Sequence, residues 1–407
     1  MDERILNNIN ELTKKIEFEP NNAGLYYKRG EIYYTLKKYE DAKRDFARTV
    51  ELQPENDQYF HARGLSYQQL GKYEKAVADY TKAIEIKPLC ALYYARRGGA
   101  YQWLKKFETA ISDYTQAIEI EPDNYEFFGE RGVCLHSVRK YQEAIRDYTK
   151  SFRLNPSAAV YLAHRGIAYT DMKEYEKALE DYNKTLEIDN TQARFFSFRG
   201  KNYLDMHKYE EAIEDFTKAI NMLPLYATWY EWRGFAYRRI GDFEKSIDDY
   251  TKAIELNPSS AYYYSERGVT YQLNDEYEKA RADYSIATEL TPEKMIYSEQ
   301  LKNISPVGFR IEYGKKYILP QNADEFTNTV KTKINNLRNE LKDNSNIVLP
   351  QVLVRDNITI PDTEILIKID GKITWKKEFG DTSLDVCAEE AVNMLKKLFL
   401  RCHSKKQ

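Results

Sequence analysis

Cysteine is scarce in this chain, with four among 407 residues. Cys90, Cys134, Cys387 and Cys402 are far apart and form no CxxC pair, which argues against a disulfide framework or a thiolate zinc site and suits a reducing cytoplasm. The five histidines (His61, His136, His164, His207, His403) have no HxxxH or HExxH spacing, so no metal or cofactor is expected. GxGxxG, GxxxxGKS/T and GxSxG are also missing. No apolar run approaches the roughly 20 residues that span a bilayer, so membrane insertion is not expected. The opening "MDERILNNINELTKKIEF" has acidic residues at its front and no apolar core, unlike a secretory signal. Net charge is only −3. It is spread evenly along the chain, without the basic excess of a nucleic-acid binder. Proteins are the expected partners.

Proline is sparse too, but its placement is ordered. Pro20, Pro54, Pro88, Pro122, Pro156, Pro224, Pro258 and Pro292 keep a 34-residue beat, with Asn190 in the one vacant slot. Gly30, Gly64, Gly98, Gly132, Gly166, Gly200, Gly234 and Gly268 keep the same beat. Each unit reads as two antiparallel helices. Glycine lets the first helix approach its partner closely, and Ala42, Ala76, Ala110, Ala144, Ala178 and Ala212 do the same from the second. Proline cannot continue a helix and marks the boundary. One unit cannot bury its apolar face alone, whereas stacked units can.

The period, with the layout of "LYYKRGEIYYTLKKYEDAKRDFARTVELQP" (25–54), resembles the tetratricopeptide repeat. The resemblance implies an all-α superhelical solenoid of eight units over residues 23–292. Residues 1–22 read as a lone capping helix, with Leu6 and Ile9 where second helices carry Tyr and Ala. Most of the 35 tyrosines recur at five framework positions, which marks them as core. One Arg (Arg29, Arg63 and so on to Arg267) and one Asp (Asp45 to Asp283) recur in every unit. A catalytic group would not be needed eight times, so a ladder of inter-repeat hydrogen bonds or ion pairs is expected, with exposed pairs of that kind at about 0–1 kcal/mol each.

In this family the first helices line a concave groove that receives peptides. Matching positions here include Tyr27, Tyr34, His61, Gln68, Trp103, His136, Arg194, Lys201, Phe235, Arg238, Arg239 and Tyr262, with Glu31, Asp171, Asp205 and Glu231 among them. Arg194, Lys201, Arg238 and Arg239 give the later units a local basic character suited to an acidic ligand. The Lys and Asn set that clamps a chaperone's C-terminal carboxylates is not presented; the first unit offers Tyr27 and Glu31 instead.

Beyond residue 303 the pattern changes. "NISPVGFRIEYGKKYILP" (303–320) alternates like strands, and Phe326, Val330, Ile334, Leu337 and Leu341 lie on one face of a helix over 323–343. "NIVLPQVLVRDNITIP" (346–361) reads as a strand, Asp370-Gly371 as a hairpin turn, and 381–400 as a final helix. A small α+β domain over 304–407, joined by residues 293–303, is expected. Glu312, Gly314, Leu337, Arg338, Leu349, Pro350, Val352, Arg355, Asp356, Asn357, Ile367 and Gly371 carry a resemblance to part of the FHIPEP family, the export-gate proteins of flagella and type III secretion. The family's transmembrane half is not matched, and Glu364 or Ile365 stands where the family prefers Tyr. The resemblance implies a bacterial protein and a second docking module with secretion or flagellar partners. The expected function is therefore a non-enzymatic interaction scaffold. The rivals are an enzyme whose catalytic domain is the α+β part and RNA binding by the repeats.

Overall fold

The computed structural model describes residues 3–303, 309–313, 329–337, 339, 352–356, 364–369, 372–378 and 384–404. It divides into two units, Met1–Thr191 and Gln192–Gln407. The first begins with α1 (Glu3–Phe18) and continues as five helical hairpins. These are α2 (Ala23–Thr35) with α3 (Tyr39–Leu52), α4 (Asp57–Gln69) with α5 (Tyr73–Ile86), and α6 (Ala91–Trp103) with α7 (Phe107–Ile120). Then come α8 (Tyr125–Ser137) with α9 (Tyr141–Leu154), and α10 (Ala159–Asp171) with α11 (Tyr175–Ile188). The second unit has three hairpins: α12 (Ala193–Asp205) with α13 (Tyr209–Met222), α14 (Ala227–Ile240) with α15 (Phe243–Leu256), and α16 (Ala261–Leu273) with α17 (Tyr277–Leu290). The helix α18 (Met295–Asn303) follows and buries Tyr297 against Ala261 and Ala287. It thus takes the place of a ninth first helix.

The repeated small residues do what their size requires. A Cβ built on Gly64 would lie 2.6 Å from the Tyr80 ring, closer than any real contact, so the aromatic sixteen residues on can pack only against glycine. Ala42, Ala76, Ala110, Ala144, Ala178 and Ala212 are fully buried, and so are Tyr80, Tyr148, Tyr182, Tyr250 and Tyr284.

The turn inside each hairpin carries a feature hidden from the sequence. Lys37, Gly71, Lys105, Arg139, Lys173, His207, Gly241 and Asp275, one per repeat, are all left-handed. In the first, Lys38 N–H donates to Tyr33 O at 2.8 Å and Lys37 N–H to Tyr34 O at 2.9 Å, which caps the orphan carbonyls of α2. Only two of these positions hold glycine, so six repeats bear the steric cost of a Cβ there.

The Arg–Asp pairs form, but within each repeat rather than between repeats, and they are not exposed. Each Arg makes a two-pronged bond to the Asp of its own hairpin, as in Arg97 Nε to Asp113 Oδ2 at 2.9 Å and Nη2 to Oδ1 at 2.7 Å. For Arg97, Arg131, Arg165, Arg233 and Arg267 a third prong reaches the preceding hairpin, as in Arg97 Nη1 to Thr81 Oγ1 at 3.1 Å. The aspartates from Asp45 to Asp283 are all buried. Burial pushes the carboxyls of Asp79, Asp181 and Asp249 upward, while each arginine partner opposes it. The expected figure for exposed pairs therefore does not apply: removing one partner of a buried pair strands a charge. Arg29 makes the same third bond to Thr13 of α1, at 3.0 Å, so α1 stands in second-helix register. That register differs by one residue from the alignment of Leu6 and Ile9: Leu6 is 44% exposed and Ile9 is buried.

Four short strands form a sheet in the order β2-β1-β3-β4: β1 (Phe309–Tyr313), β2 (Val352–Asp356), β3 (Glu364–Ile369) and β4 (Lys372–Glu378). β1 runs parallel to β2 and antiparallel to β3, and β3 pairs antiparallel with β4. Helix α19 (329–337) buries Val330, Ile334 and Leu337, and α20 (Leu384–Ser404) buries Ala388, Ala391, Val392 and Leu395. The expected strand at 315–320, the Asp370-Gly371 turn, and Phe326, Leu341, Leu349, Pro350 and Asn357 lie outside the described residues. No helix among the described residues is long and apolar enough to cross a membrane.

Candidate functional site

The site arises from side chains that shrink. Tyr27 and His61 occupy one position on their first helices, where α6 has Ala95; Glu31 and Leu65 occupy the next turn, where α6 has Gly99. The vacated space is a pocket of about 620 Å³ on the face of α4, α6, α8 and α10. One wall is apolar. Leu92 is 39% and Trp103 66% exposed, and the indole is held flat by stacking on Tyr73 at 5.5 Å. Phe127 completes that wall.

The polar wall is a set of hydrogen bonds in which the inner carboxylate, Glu130, is already engaged. Tyr80 Oη donates to Gln68 Oε1 at 2.8 Å and Tyr114 Oη to Gln102 Oε1 at 3.4 Å, which turns both carbonyl ends away. Tyr161 Oη donates to Glu130 at 3.0 Å. It can do so because Gly129 leaves room: a Cβ there would lie 2.3 Å from the Tyr161 ring. Burial pushes the Glu130 carboxyl upward, against the hydrogen bonds from Tyr161 and Gln102. Arg96 is exposed on the pocket wall and meets no carboxylate among the described residues. The pocket thus offers an apolar platform, amide donors and the Arg96 guanidinium, with Lys105 and the exposed Glu126 carboxylate also on its lining. Cys134 is buried and its thiol is pushed up to about 12, so it is no nucleophile. Among the described residues no group of His, Cys, Asp and Glu could hold a metal ion.

Of the twelve residues singled out in the sequence, only Gln68 and Trp103 line this pocket. Tyr27 packs on Phe46 and Tyr59 at 5.6 and 5.3 Å, and Tyr34 meets Tyr39 edge-on at 5.3 Å. His61 lies beside Tyr93 at 5.2 Å, its buried Nε2 has no partner among the described residues, and burial brings its pKa down to about 4. His136 Nε2 lies 2.8 Å from Asp171. In the second unit the basic character is largely spent. Lys201 is paired with Asp205 at 2.6 Å, and Arg238 is paired with Glu266 at 2.6 Å and sits over Phe235. Arg194 lies over Phe195 at 5.2 Å, Arg239 over Tyr209 at 5.3 Å, and Tyr262 is 44% exposed. Arg96 and Glu130 were missed. Their signal was the hypervariable column Lys28, Ala62, Arg96, Glu130, His164, Phe198, Trp232, Glu266 in an otherwise regular repeat.

Family models described as tetratricopeptide repeat match residues 23–56, 58–89, 91–124, 159–191 and 193–223, and one described as TPR repeat matches 236–275. The chain is a tetratricopeptide repeat protein. These matches lie within residues 23–275 and lend no support to the export-gate resemblance further on. A search of curated proteins gives no match. Among solved structures, the Cut9–Hcn1 hetero-tetramer of APC/C is similar at 15% identity and a TM-score of 0.50, over 72% of this chain and 57% of that one. This repeat protein thus spans little more than half of that chain. A tetratricopeptide repeat protein of Parabacteroides merdae is similar at 22% identity and a TM-score of 0.48, over 60% of this chain and 97% of that one. YrrB, titled a TPR protein with an unusual peptide-binding site, is similar at 21% identity and a TM-score of 0.41, over 46% and 97%.

Proposed function

We propose that this protein is a non-enzymatic interaction scaffold that binds a peptide segment of a partner protein in the α4–α10 pocket. The observation that carries the reading is the exposed Trp103 plate beside the unpaired Arg96, in a pocket opened by Ala95 and Gly99. Exposed aromatic and arginine anchors in a concavity are what interfaces use to concentrate binding energy. Peptides selected by phage display on the full chain test it. Substituting Gly99→Phe, the residue found at the equivalent position 235, should fill the pocket and abolish their binding while the helical signal stays. Selection of no peptide, or equal binding by the variant, would sink the reading. Residues 304–407 as a second docking module with export-apparatus partners is a reading that rests on the sequence resemblance alone. Capture of such components by the full chain, lost on Arg355→Ala, is the test of that part.

A further inference from the structure

The basic groove expected in the second unit has become acidic in effect. Arg238 is committed to Glu266 through two bonds, Nη2 to the carboxylate at 2.6 Å and Nη1 to the backbone oxygen at 3.1 Å. Glu231 on α14 is half-buried and has no basic partner among the described residues. Its neighbours in charge contact are Glu266, which repels it, and the hydroxyl of Tyr263. Tyr262 and Glu266 are four residues apart on α16 and share one face, and the hydroxyl of the exposed Tyr262 feels the charges of both glutamates and of the Glu266-paired Arg238.

A second observation comes from comparing repeats. Where a second helix carries this buried tyrosine, its hydroxyl can meet the first helix twelve residues back: Tyr80 donates to Gln68, Tyr284 to Gln272 at 3.1 Å, and Tyr182 lies 3.2 Å from Thr170. At Tyr250 that position holds Arg238, a donor only. Tyr250 is 0% exposed, and among the described residues its hydroxyl has no hydrogen-bond partner, although it lies amid the charges of Arg238, Glu266, Tyr262 and Glu231. An uncompensated carboxylate, an open aromatic face and an orphaned hydroxyl therefore converge on the α14–α16 face.

We propose that this face is a second binding site, which takes the side-chain cation of a lysine or arginine in a basic peptide against the Glu231 carboxylate and the Tyr262 ring. The cation removes the repulsion between Glu231 and Glu266, and the ring adds a cation–π contact. The site lies wholly in the second unit and does not rest on the pocket of the first.

The test is fluorescence anisotropy of a labelled, amidated hexalysine peptide titrated with the full chain. Hexalysine should bind better than hexaglutamate. Glu231→Gln should weaken it at least tenfold and Tyr262→Leu severalfold, while Glu244→Gln, which removes an exposed charge elsewhere on the second unit, should not. Glu231→Gln removes an uncompensated charge, so its melting temperature should not fall, which separates lost binding from lost folding. Equal losses in Glu231→Gln and Glu244→Gln, or no preference over hexaglutamate, would overturn the proposal. Spermine binding tighter than hexalysine, with the same dependence on Glu231, would overturn the peptide as the ligand.

Discussion

The two units build the same hairpin and use its face in opposite ways. In the first, Ala95, Gly99 and Gly129 strip side chains from the face, and a pocket opens beside an arginine that meets no carboxylate among the described residues. In the second, Glu231 and Phe235 refill the positions of Ala95 and Gly99; Arg238, at the position of Gln102, is consumed by Glu266, and the Glu231 carboxylate is left without a basic partner among the described residues. Beneath both runs the same scaffold of glycine against aromatic, buried alanine, and an arginine that bridges two hairpins. A repeat framework thus separates stability from recognition. The columns that repeat hold the stack together, and those that vary decide what it can hold.

Four changes would break or sharpen that contrast. The largest effect belongs to the shared scaffold. Asp113→Ala in the first unit and Asp249→Ala in the second should each strand a buried guanidinium and cost about 3–5 kcal/mol. Urea unfolding of both variants checks this, and a large inequality would mean that the ladder is not equivalent in the two units.

Next comes pH, where the units should differ in sign. His61 has a folded pKa of about 4, below its ordinary value, because burial disfavours its charge. The unfolded chain therefore binds the proton more readily, and this group's contribution is lost as pH falls from about 6.5 towards 4. Glu231 has a folded pKa of about 7, above its ordinary value, through burial and then Glu266. Its contribution is present below pH 4.5 and is lost as pH rises through about 7. Unfolding of wild type, His61→Phe and Glu231→Gln between pH 4 and 8 would show the two slopes removed one at a time. His61→Phe should also stabilise at neutral pH, because it removes a buried nitrogen without a partner.

Smaller still is the missing rung. Ala47 stands where Thr81 accepts from Arg97, so Ala47→Thr should give Arg63 the third bond and add about 0.5–1.5 kcal/mol. The smallest effect should be at the turns. Lys105→Gly or Lys173→Gly relieves a left-handed Cβ but loosens the unfolded chain, for a net gain of about 0.5 kcal/mol. Thermal melts resolve both.

Much of the scaffold was legible because it recurs. A requirement stated eight times, such as Gly64 under Tyr80 or Arg97 beside Asp113, stands out as a column in one chain. The left-handed turns did not stand out, because Lys37, Arg139 and His207 accept a cost that glycine would avoid, and tertiary packing overrides local preference. The pocket was half visible. Trp103 and Gln68 could be placed by period, but Arg96 could be recognised as free only once its surroundings were known.

The sequence by itself determined the period, the hairpin, its buried glycine, alanine and tyrosine columns, and the family, since each follows from steric fit repeated at fixed spacing. Tertiary structure alone decided which charges were spent and which were left. Arg238 and Arg96 read alike as residues, yet one is matched by a glutamate 28 positions away and the other faces open space. Pairing depends on distances between helices, and those are set only when the hairpins have stacked.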